Sequence, residues 1–164
     1  MHKPDALRAL LLRVVDYLGK NPDALAMFVD GGRVAARAGG SLSFEYRYTL
    51  NIVIQDFAGD RDAIIVPLLA WIAQVQPDLL AKPDSEPFTF ESELLDADLC
   101  DLSIKVELTE RVAVTPRPGG GYDVNHLGEP SAADVFPGLC DQNLWQLFLH
   151  DVLIAQTSDP AFTP

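Results

Sequence analysis

Few residues of this chain combine a type and a spacing that would support chemistry, and the first such group is acidic. Asp96, Asp98 and Asp101 lie close together, as the oxygen ligands of a calcium loop would. The segment lacks the glycine and the closing glutamate of such a loop, so we interpret it as a solvated acidic connector. The segment Ala38–Ser41 holds two glycines but no following lysine, which argues against a phosphate-binding loop.

The cysteines and histidines do not form a recognisable site either. Cys100 and Cys140 lie far apart and show no metal-ligand spacing with His2, His126 or His150. We interpret the cysteines as reduced thiols of a cytosolic protein and the histidines as hydrogen-bonded or solvated side chains. The sequence therefore predicts no catalytic residue, no metal site and no cofactor, so we expect that the protein is not an enzyme.

The formal net charge of −12 is distributed unevenly along the chain. Residues 1–58 carry 7 basic and 6 acidic side chains, a net charge of +1, whereas residues 59–164 carry 5 basic and 18 acidic ones, a net charge of −13. This acidity argues against tight nucleic-acid binding, which needs clustered Lys and Arg. The acidic surface serves either solubility alone or contact with a basic partner. No apolar run approaches the ~20 residues of a membrane span.

Alternation of apolar and polar residues identifies the elements that would position any site. In Phe44–Ile54 the apolar side chains occupy the even positions, with Val53 as the exception, and Leu102–Leu108 shows the same pattern. Successive side chains of a strand point to opposite faces, so both runs predict half-buried strands. We predict strands over Leu42–Phe57 and Leu102–Val114 in one sheet, with Tyr46, Tyr48, Leu50 and Ile52 in contact with Ile104, Val106 and Leu108.

Apolar residues at three-and-four spacing predict two helices that cover the apolar face of this sheet. The first runs over residues 5–19. The second runs over residues 61–76, with Asp60 as its N-cap and with Pro67 at its regular start or at a kink. Between the first helix and the first long strand, Asp30-Gly31-Gly32 predicts the turn of a short hairpin formed by Ala26–Val29 and Arg33–Arg37. The alternative for Pro22–Phe28 is a helical turn.

The C-terminal half adds further strands and a linker. Phe88–Leu94 and Tyr122–Leu127 predict strands, and residues 144–156 predict a small apolar hairpin that turns at His150-Asp151. The predicted fold class is α+β, a twisted and mainly antiparallel sheet packed with two main helices, plus the C-terminal β-hairpin. The predicted units are a core domain over residues 1–128, a Pro/Gly-rich linker over 129–142, the hairpin over 143–157 and a flexible tail over 158–164.

Several segments of the chain resemble one known protein family. They are His2-Lys-Pro-Asp-Ala-Leu-Arg8, Ser41–Asn51 with Asp56-Phe-Ala-Gly59, Ile65–Trp71 with Gln76-Pro-Asp78, and Leu108-Thr-Glu-Arg111. In this order and spacing, over roughly residues 2–130, they resemble the tail completion protein R (GpR) family of contractile-tailed temperate phages. The closing hairpin also fits, whereas Gly128–Asp141 matches only loosely.

The resemblance implies a structural assembly protein at the head-proximal end of a phage tail. Such proteins stop tail polymerisation and make the tail competent to join a head. By fold-level analogy with tail terminators, it implies a subunit of a ring, expected to be a hexamer. The implied partners are further copies of the chain, the tail tube and sheath proteins, and the head–tail connector or a second tail completion protein. The implied location is the host cytoplasm during assembly and then the virion tail, for an infectious phage or a prophage.

A ring requires two different complementary patches on each subunit, and the sequence suggests where they lie. The C-terminal hairpin is too apolar for a solvated tail, and the nearly neutral N-terminal part offers basic side chains. The predicted interface residues are Leu144, Trp145, Leu147, Phe148, Leu149, Val152, Ile154, Arg33 and Arg37.

Two alternatives to a structural assembly protein stay open at this stage. One is a small cytosolic enzyme, which a deep pocket with a histidine–carboxylate pair of perturbed pKa would favour. The other is an assembly chaperone that leaves the particle, which the absence of the chain from purified tails would favour.

Overall fold

An antiparallel sheet and the helices on one of its faces make up the main body of the protein. The computed structural model describes residues 1–37, 39–81, 84–95, 99–129 and 146–156. The helices are α1 (Lys3–Val14), α2 (Asp16–Lys20) and α3 (Asp62–Val75), with short 3-10 turns at Pro22–Ala24 and Pro77–Leu80. The strands are β1 (Leu25–Ala36), β2 (Phe44–Phe57), β3 (Phe88–Leu94), β4 (Cys100–Pro116), β5 (Tyr122–Leu127), β6 (Gln146–Leu149) and β7 (Val152–Gln156). The predictions for Asp96, Asp98, Cys140, Leu144, Trp145, most of the linker and the C-terminal tail lie outside the described residues.

The sheet has the strand order β1-β2-β4-β3, and β5 pairs with the second half of β4. All of these pairs are antiparallel. Leu50 lies opposite Val106 and Ile52 opposite Ile104, as the alternation predicted. A shift of one residue would turn the whole apolar set toward solvent, so the burial of one face determines this register. The predicted α+β class, with its C-terminal hairpin, is confirmed.

The core lies between one face of the sheet and the helices α1 and α3. Leu7 and Leu11 of α1 meet Ile64, Leu68 and Trp71 of α3 over the apolar residues of β2 and β4, and all five side chains are buried. Burial of a large apolar side chain contributes roughly 1.5–3 kcal/mol. The packing of these two helices therefore provides much of the stability of the fold and holds their ends in fixed positions over the sheet.

The predicted hairpin at Asp30-Gly31-Gly32 is wrong, because β1 runs through these residues as one strand. Its pairing with β2 is only shifted between Val29 and Gly31, where Asp30 is the extra residue of a β-bulge. Neither glycine has the positive φ that a primed turn requires. The long strand β2 pairs with β1 along most of its length. A hairpin at Asp30-Gly31-Gly32 would leave about half of the backbone groups on this edge of β2 without a partner.

The predicted helix over residues 5–19 is two helices in the structure. Val15 is extended, with φ −96° and ψ 108°, and separates α1 from α2. The amide of Val15 still donates to the Leu11 carbonyl at 3.0 Å, so α1 ends with a satisfied backbone. Both Val14 and Val15 are buried, so the break between α1 and α2 packs against the core.

The second predicted helix is confirmed as α3, and Pro67 lies inside it as a buried residue. The Asp60 carboxylate accepts a hydrogen bond from the Asp62 amide at 2.9 Å, so it satisfies one amide of the first turn. The helix ends before Pro77, because a proline disfavours the helical conformation in the preceding residue, Gln76.

The first long strand begins two residues later than predicted, at Phe44 rather than Leu42. The Ser43 hydroxyl accepts a hydrogen bond from the Val114 amide at 2.9 Å, and the Ser41 hydroxyl donates to the Val114 carbonyl at 3.1 Å. These side-chain bonds replace the backbone ladder at this position, so the strand pairing starts only after Ser43.

Candidate functional site

Glu110 is a carboxylate on the helix-covered face of β4, where the neighbouring even positions are apolar. It follows Leu108 and precedes Val112 in that row, and its side chain is only 4% exposed. A buried carboxylate is costly unless it is hydrogen-bonded, so its partners define the local structure.

The Glu110 carboxylate caps the N-terminus of α1. It accepts hydrogen bonds from the backbone amides of His2 at 2.9 Å and Lys3 at 3.3 Å, and from the Tyr48 hydroxyl. Helix α1 has no capping side chain of its own at His2. An acceptor from another element therefore satisfies its free amides, and the negative charge complements the helix dipole.

His126 of β5 closes the other side of the carboxylate. Its Nδ1 lies 3.2 Å from Glu110 Oε2, and its ring meets the His2 ring edge-on at a centroid distance of 4.2 Å. Glu110 thereby joins α1, β2, β4 and β5 at one point.

Burial opposes the ionisation of Glu110, yet the pKa of its carboxyl group is lowered. The hydrogen bonds from the Tyr48 hydroxyl and from the amides of His2 and Lys3 outweigh the cost of burial. The pKa of the Tyr48 hydroxyl is raised, because the ring is buried and donates to this carboxylate.

A pH dependence of stability follows from the lowered pKa of Glu110. The contribution of the charged carboxylate is fully present above the ordinary glutamate pKa of about 4.3 and is lost as the pH falls through the lower folded-state pKa. We expect the free energy of unfolding to fall more steeply between about pH 5 and pH 3 in the native protein than in Glu110→Gln. Urea denaturation of both proteins across this range measures the two slopes, and equal slopes would contradict the assignment.

Gln76 is a second hub, directly beside Glu110, and it is only 1% exposed. Its Oε1 accepts from Lys3 Nζ at 2.6 Å and from the Thr109 amide at 3.2 Å. Its Nε2 donates to Asp78 Oδ1 at 2.6 Å and to Thr109 Oγ1 at 3.0 Å. Thr109 lies on the part of β4 between the segments that pair with β3 and β5. Gln76 thus provides the Thr109 amide with the acceptor that a neighbouring strand would otherwise supply.

Glu129 completes this polar cluster, which we define as Lys3, Gln76, Glu110, His126 and Glu129. Glu129 Oε1 lies 3.0 Å from Lys3 Nζ, and its Oε2 lies 3.5 Å from the Arg111 guanidinium. Apart from Gln76, the members of the polar cluster line an open cleft of about 620 Å³ together with Val124 and Leu127. Sequence reasoning missed the cluster, although Glu110 gave one signal by interrupting the apolar side of a strand.

The cleft does contain a histidine–carboxylate pair, which is what an enzyme would need. However, the Glu110 carboxylate is already engaged by two helix amides and a tyrosine hydroxyl. The described residues that line the cleft include no serine, threonine or cysteine that could act as a nucleophile beside His126. The arrangement is therefore suited to holding the start of α1 against the sheet.

The C-terminal hairpin has a buried side and an exposed side. β6 and β7 pair through a two-residue turn, and His150 and Asp151 have the positive φ values of 45° and 65° that a type I′ turn requires. Ala155 is buried in the core, and Leu147 and Ile154 pack against it. Phe148 (54% exposed) and its cross-strand partner Leu153 (41%) lie on the exposed side. Val152 (62%) pairs with the half-buried Leu149 beside the turn, on the same side as Leu147.

Arg33 and Arg37, the two basic interface candidates, lie at the opposite edge of the sheet from β3. Arg33 belongs to β1 and lies directly opposite Arg47 on the face away from the helices, and Arg37 follows the end of the strand. Both side chains are exposed. The structure therefore separates the predicted interface residues into two surfaces, the hairpin and the β1 edge.

Comparison with known proteins identifies the family. A family model described as P2 phage tail completion protein R (GpR) matches residues 1–130. Tail completion protein R of Escherichia phage P2 is 43% identical over 132 residues, which cover 79% of this chain and 84% of that protein. The chain belongs to the GpR family. No solved structure gives a significant match, so the expected likeness to tail terminators stays a prediction.

Three of the segments that carried the resemblance to the GpR family meet at the polar cluster. His2 and Lys3 come from the first, Gln76 and Asp78 from the Gln76-Pro-Asp78 segment, and Glu110 from Leu108–Arg111. The match to the GpR family model, over residues 1–130, includes the whole cluster but not the hairpin.

None of the described helices is long and apolar enough to cross a membrane. No group of three or more histidine, cysteine or acidic side chains in the described part of the chain is arranged to hold a metal ion.

Proposed function

We propose that the protein completes a phage tail at its head-proximal end, where it stops tail growth and makes the tail competent to join a head. The observation that carries this proposal is the match to the GpR family over residues 1–130. The 43% identity to tail completion protein R of Escherichia phage P2 extends over most of both chains, which supports a shared role.

The protein acts in this proposal as one subunit of a ring, expected to contain six copies, on the end of the tail. Its partners are neighbouring copies, the tail tube and sheath proteins, and the head–tail connector or a second completion protein. Two exposed surfaces support such contacts. One is the outer side of the hairpin with Phe148 and Leu153, and the other is the β1 edge with Arg33 and Arg37.

The polar cluster has a structural role in this proposal, and the protein is not an enzyme. It fixes the N-terminus of α1 through Glu110 and bridges the gap between β3 and β5 through Gln76. A rigid core of this kind would present the hairpin and the β1 edge in a constant geometry, as repeated contacts around a ring require.

Deletion of the gene from the phage or tail-like particle that encodes it tests the proposed function. We expect electron micrographs to show headless tails of irregular length, and a plasmid copy of the gene should restore joined particles. Normal tails with attached heads in the deletion strain would contradict the proposal. Mass spectrometry of purified particles separates a virion component, which is present, from an assembly chaperone, which is absent.

A further inference from the structure

Among the described residues, the sheet ends in β1 on one side and in β3 and β5, which both pair with β4, on the other. Every residue from Asp30 to Ala36 of β1 is exposed, as is every residue of β3 after Phe88. Open edges of this kind present free amides and carbonyls to another strand, so proteins either protect them or use them.

On the helix-covered face, both edges expose apolar side chains. Val34 lies opposite Tyr46 on one edge, and Phe90 lies opposite Ile104 on the other, so both point to the same side of the sheet. Val34 is 61% exposed, Phe90 56% and Leu94 72%. Neither edge buries these side chains within the described residues, and contact between the two edges would do so.

On the other face, the two edges carry charges of opposite sign, with Arg33 on β1 and with Glu91 and Glu93 on β3. Arg33 lies opposite Arg47 on one edge, and Glu93 lies opposite Asp101 on the other. Like charges directly opposite each other destabilise a strand pair. Arg47 already pairs with Glu45 at 2.5 Å, and Glu91 lies 3.9 Å from Lys105. Arg33 and Glu93 each lie opposite a like charge, so bringing Arg33 close to Glu93 and Glu91 would give it an acidic partner.

The strand directions are compatible with an antiparallel pair between β1 of one copy and β3 of another. The two copies must be offset along the strands, because Gly31–Ala36 lies level with Glu107–Val112 of β4, beyond the segment that pairs with β3. β1 is antiparallel to β2, β2 to β4, and β4 to β3, so β1 and β3 of one copy run in opposite directions. A second copy placed edge to edge in the same orientation would therefore continue the sheet with an antiparallel pair. Because the two edges differ, this contact is heterologous and can close into a ring.

We propose that β1 of one copy pairs with β3 of the next copy, so that the sheet continues from subunit to subunit. Residues Gly31–Ala36 beyond the bulge form the pairing segment of β1. Val34 packs against Phe90 and Leu94 on one face, while Arg33 pairs with Glu91 and Glu93 on the other. The inference deepens the proposed ring and rests on it, because it names the contact that joins the subunits.

Charge reversal in the full-length protein tests the polar half of this contact. We expect Arg33→Glu to weaken self-association, measured by sedimentation velocity over a concentration series, at least tenfold, and Glu91→Lys with Glu93→Lys to do the same. All three substitutions in one chain should restore association. Arg117→Glu, which changes the net charge equally on the turn before β5, should leave association unchanged. The pairing would be refuted if Arg33→Glu associated as strongly as the native protein, or if the triple variant did not regain association.

Disulfide trapping tests the apolar half and detects even weak association. Within one copy Val34 lies level with Glu110 of β4 and Phe90 level with Ile104, so the two positions are about 14 Å apart across the sheet and about 20 Å apart along it. A Val34→Cys/Phe90→Cys chain can therefore form these disulfides only with other copies. In a Cys140→Ser background at high protein concentration, we expect oxidation to give a ladder of trimers and larger species. Either cysteine alone should stop at dimers, and the absence of a ladder from the double variant would overturn the inference. A ladder from a protein whose gene deletion leaves tails normal would refute the tail function but not the contact.

Discussion

Glu110→Ala is expected to lower the free energy of unfolding by about 3–5 kcal/mol, because each buried donor left without an acceptor costs roughly 1–3 kcal/mol. The substitution leaves the amides of His2 and Lys3 and the Tyr48 hydroxyl without their acceptor. It also removes the only side chain within the described residues that caps the start of α1. Chemical denaturation monitored by circular dichroism measures this loss.

Two variants make the Glu110 result interpretable. Glu107→Ala changes an exposed glutamate on the same strand, which accepts a hydrogen bond from Thr49 at 2.6 Å, and it should cost no more than about 1 kcal/mol. Glu110→Gln keeps the shape of the side chain but removes its charge. The decrease in its free energy of unfolding should lie between those of the two alanine variants. A Glu110→Ala protein as stable as Glu107→Ala would show that the buried carboxylate does not hold α1 in place.

The strands of the core could be predicted because the alternation of apolar and polar residues lies within each strand and reflects the burial of one face. Burial of one face gives β2 and β4 an alternation that specifies both the strands and their register, with Leu50 opposite Val106. Asp30-Gly31-Gly32 failed because a turn signature describes a few residues only. It contains nothing about the long neighbouring strand that holds β1 extended through a bulge.

The polar cluster could not be predicted, because its members are unremarkable until the fold brings them together. Glu110 contacts residues 2 and 3 across more than a hundred positions of sequence, and Gln76 reaches both Lys3 and Thr109. No spacing rule connects such positions. The one visible trace is the charge of Glu110, which lies between the apolar residues Leu108 and Val112 on the same side of β4.

Phe148→Asp is expected to reduce the yield of infectious or complete particles at least tenfold while the subunit stays folded. Phe148 is 54% exposed on the outer side of the hairpin, so the charge costs the isolated chain little. In the proposed assembly the same side chain is an anchor, and loss of a central aromatic anchor weakens an interface by about 2 kcal/mol or more. Complementation of the gene deletion measures the yield, and thermal unfolding of the purified variant measures stability.

Two further substitutions on the hairpin separate assembly from folding. Gln156→Asp adds the same charge at an exposed position at the end of β7 and should leave both yield and stability unchanged. Ala155→Asp places the charge in the core, where Ala155 is 3% exposed, and should lower the melting temperature itself. If the outer side of the hairpin contacts a neighbouring subunit or tail protein, only Phe148→Asp combines a normal melting temperature with failed assembly. Normal yield from Phe148→Asp would remove this side of the hairpin from the assembly contacts and leave the β1 and β3 edges to make them.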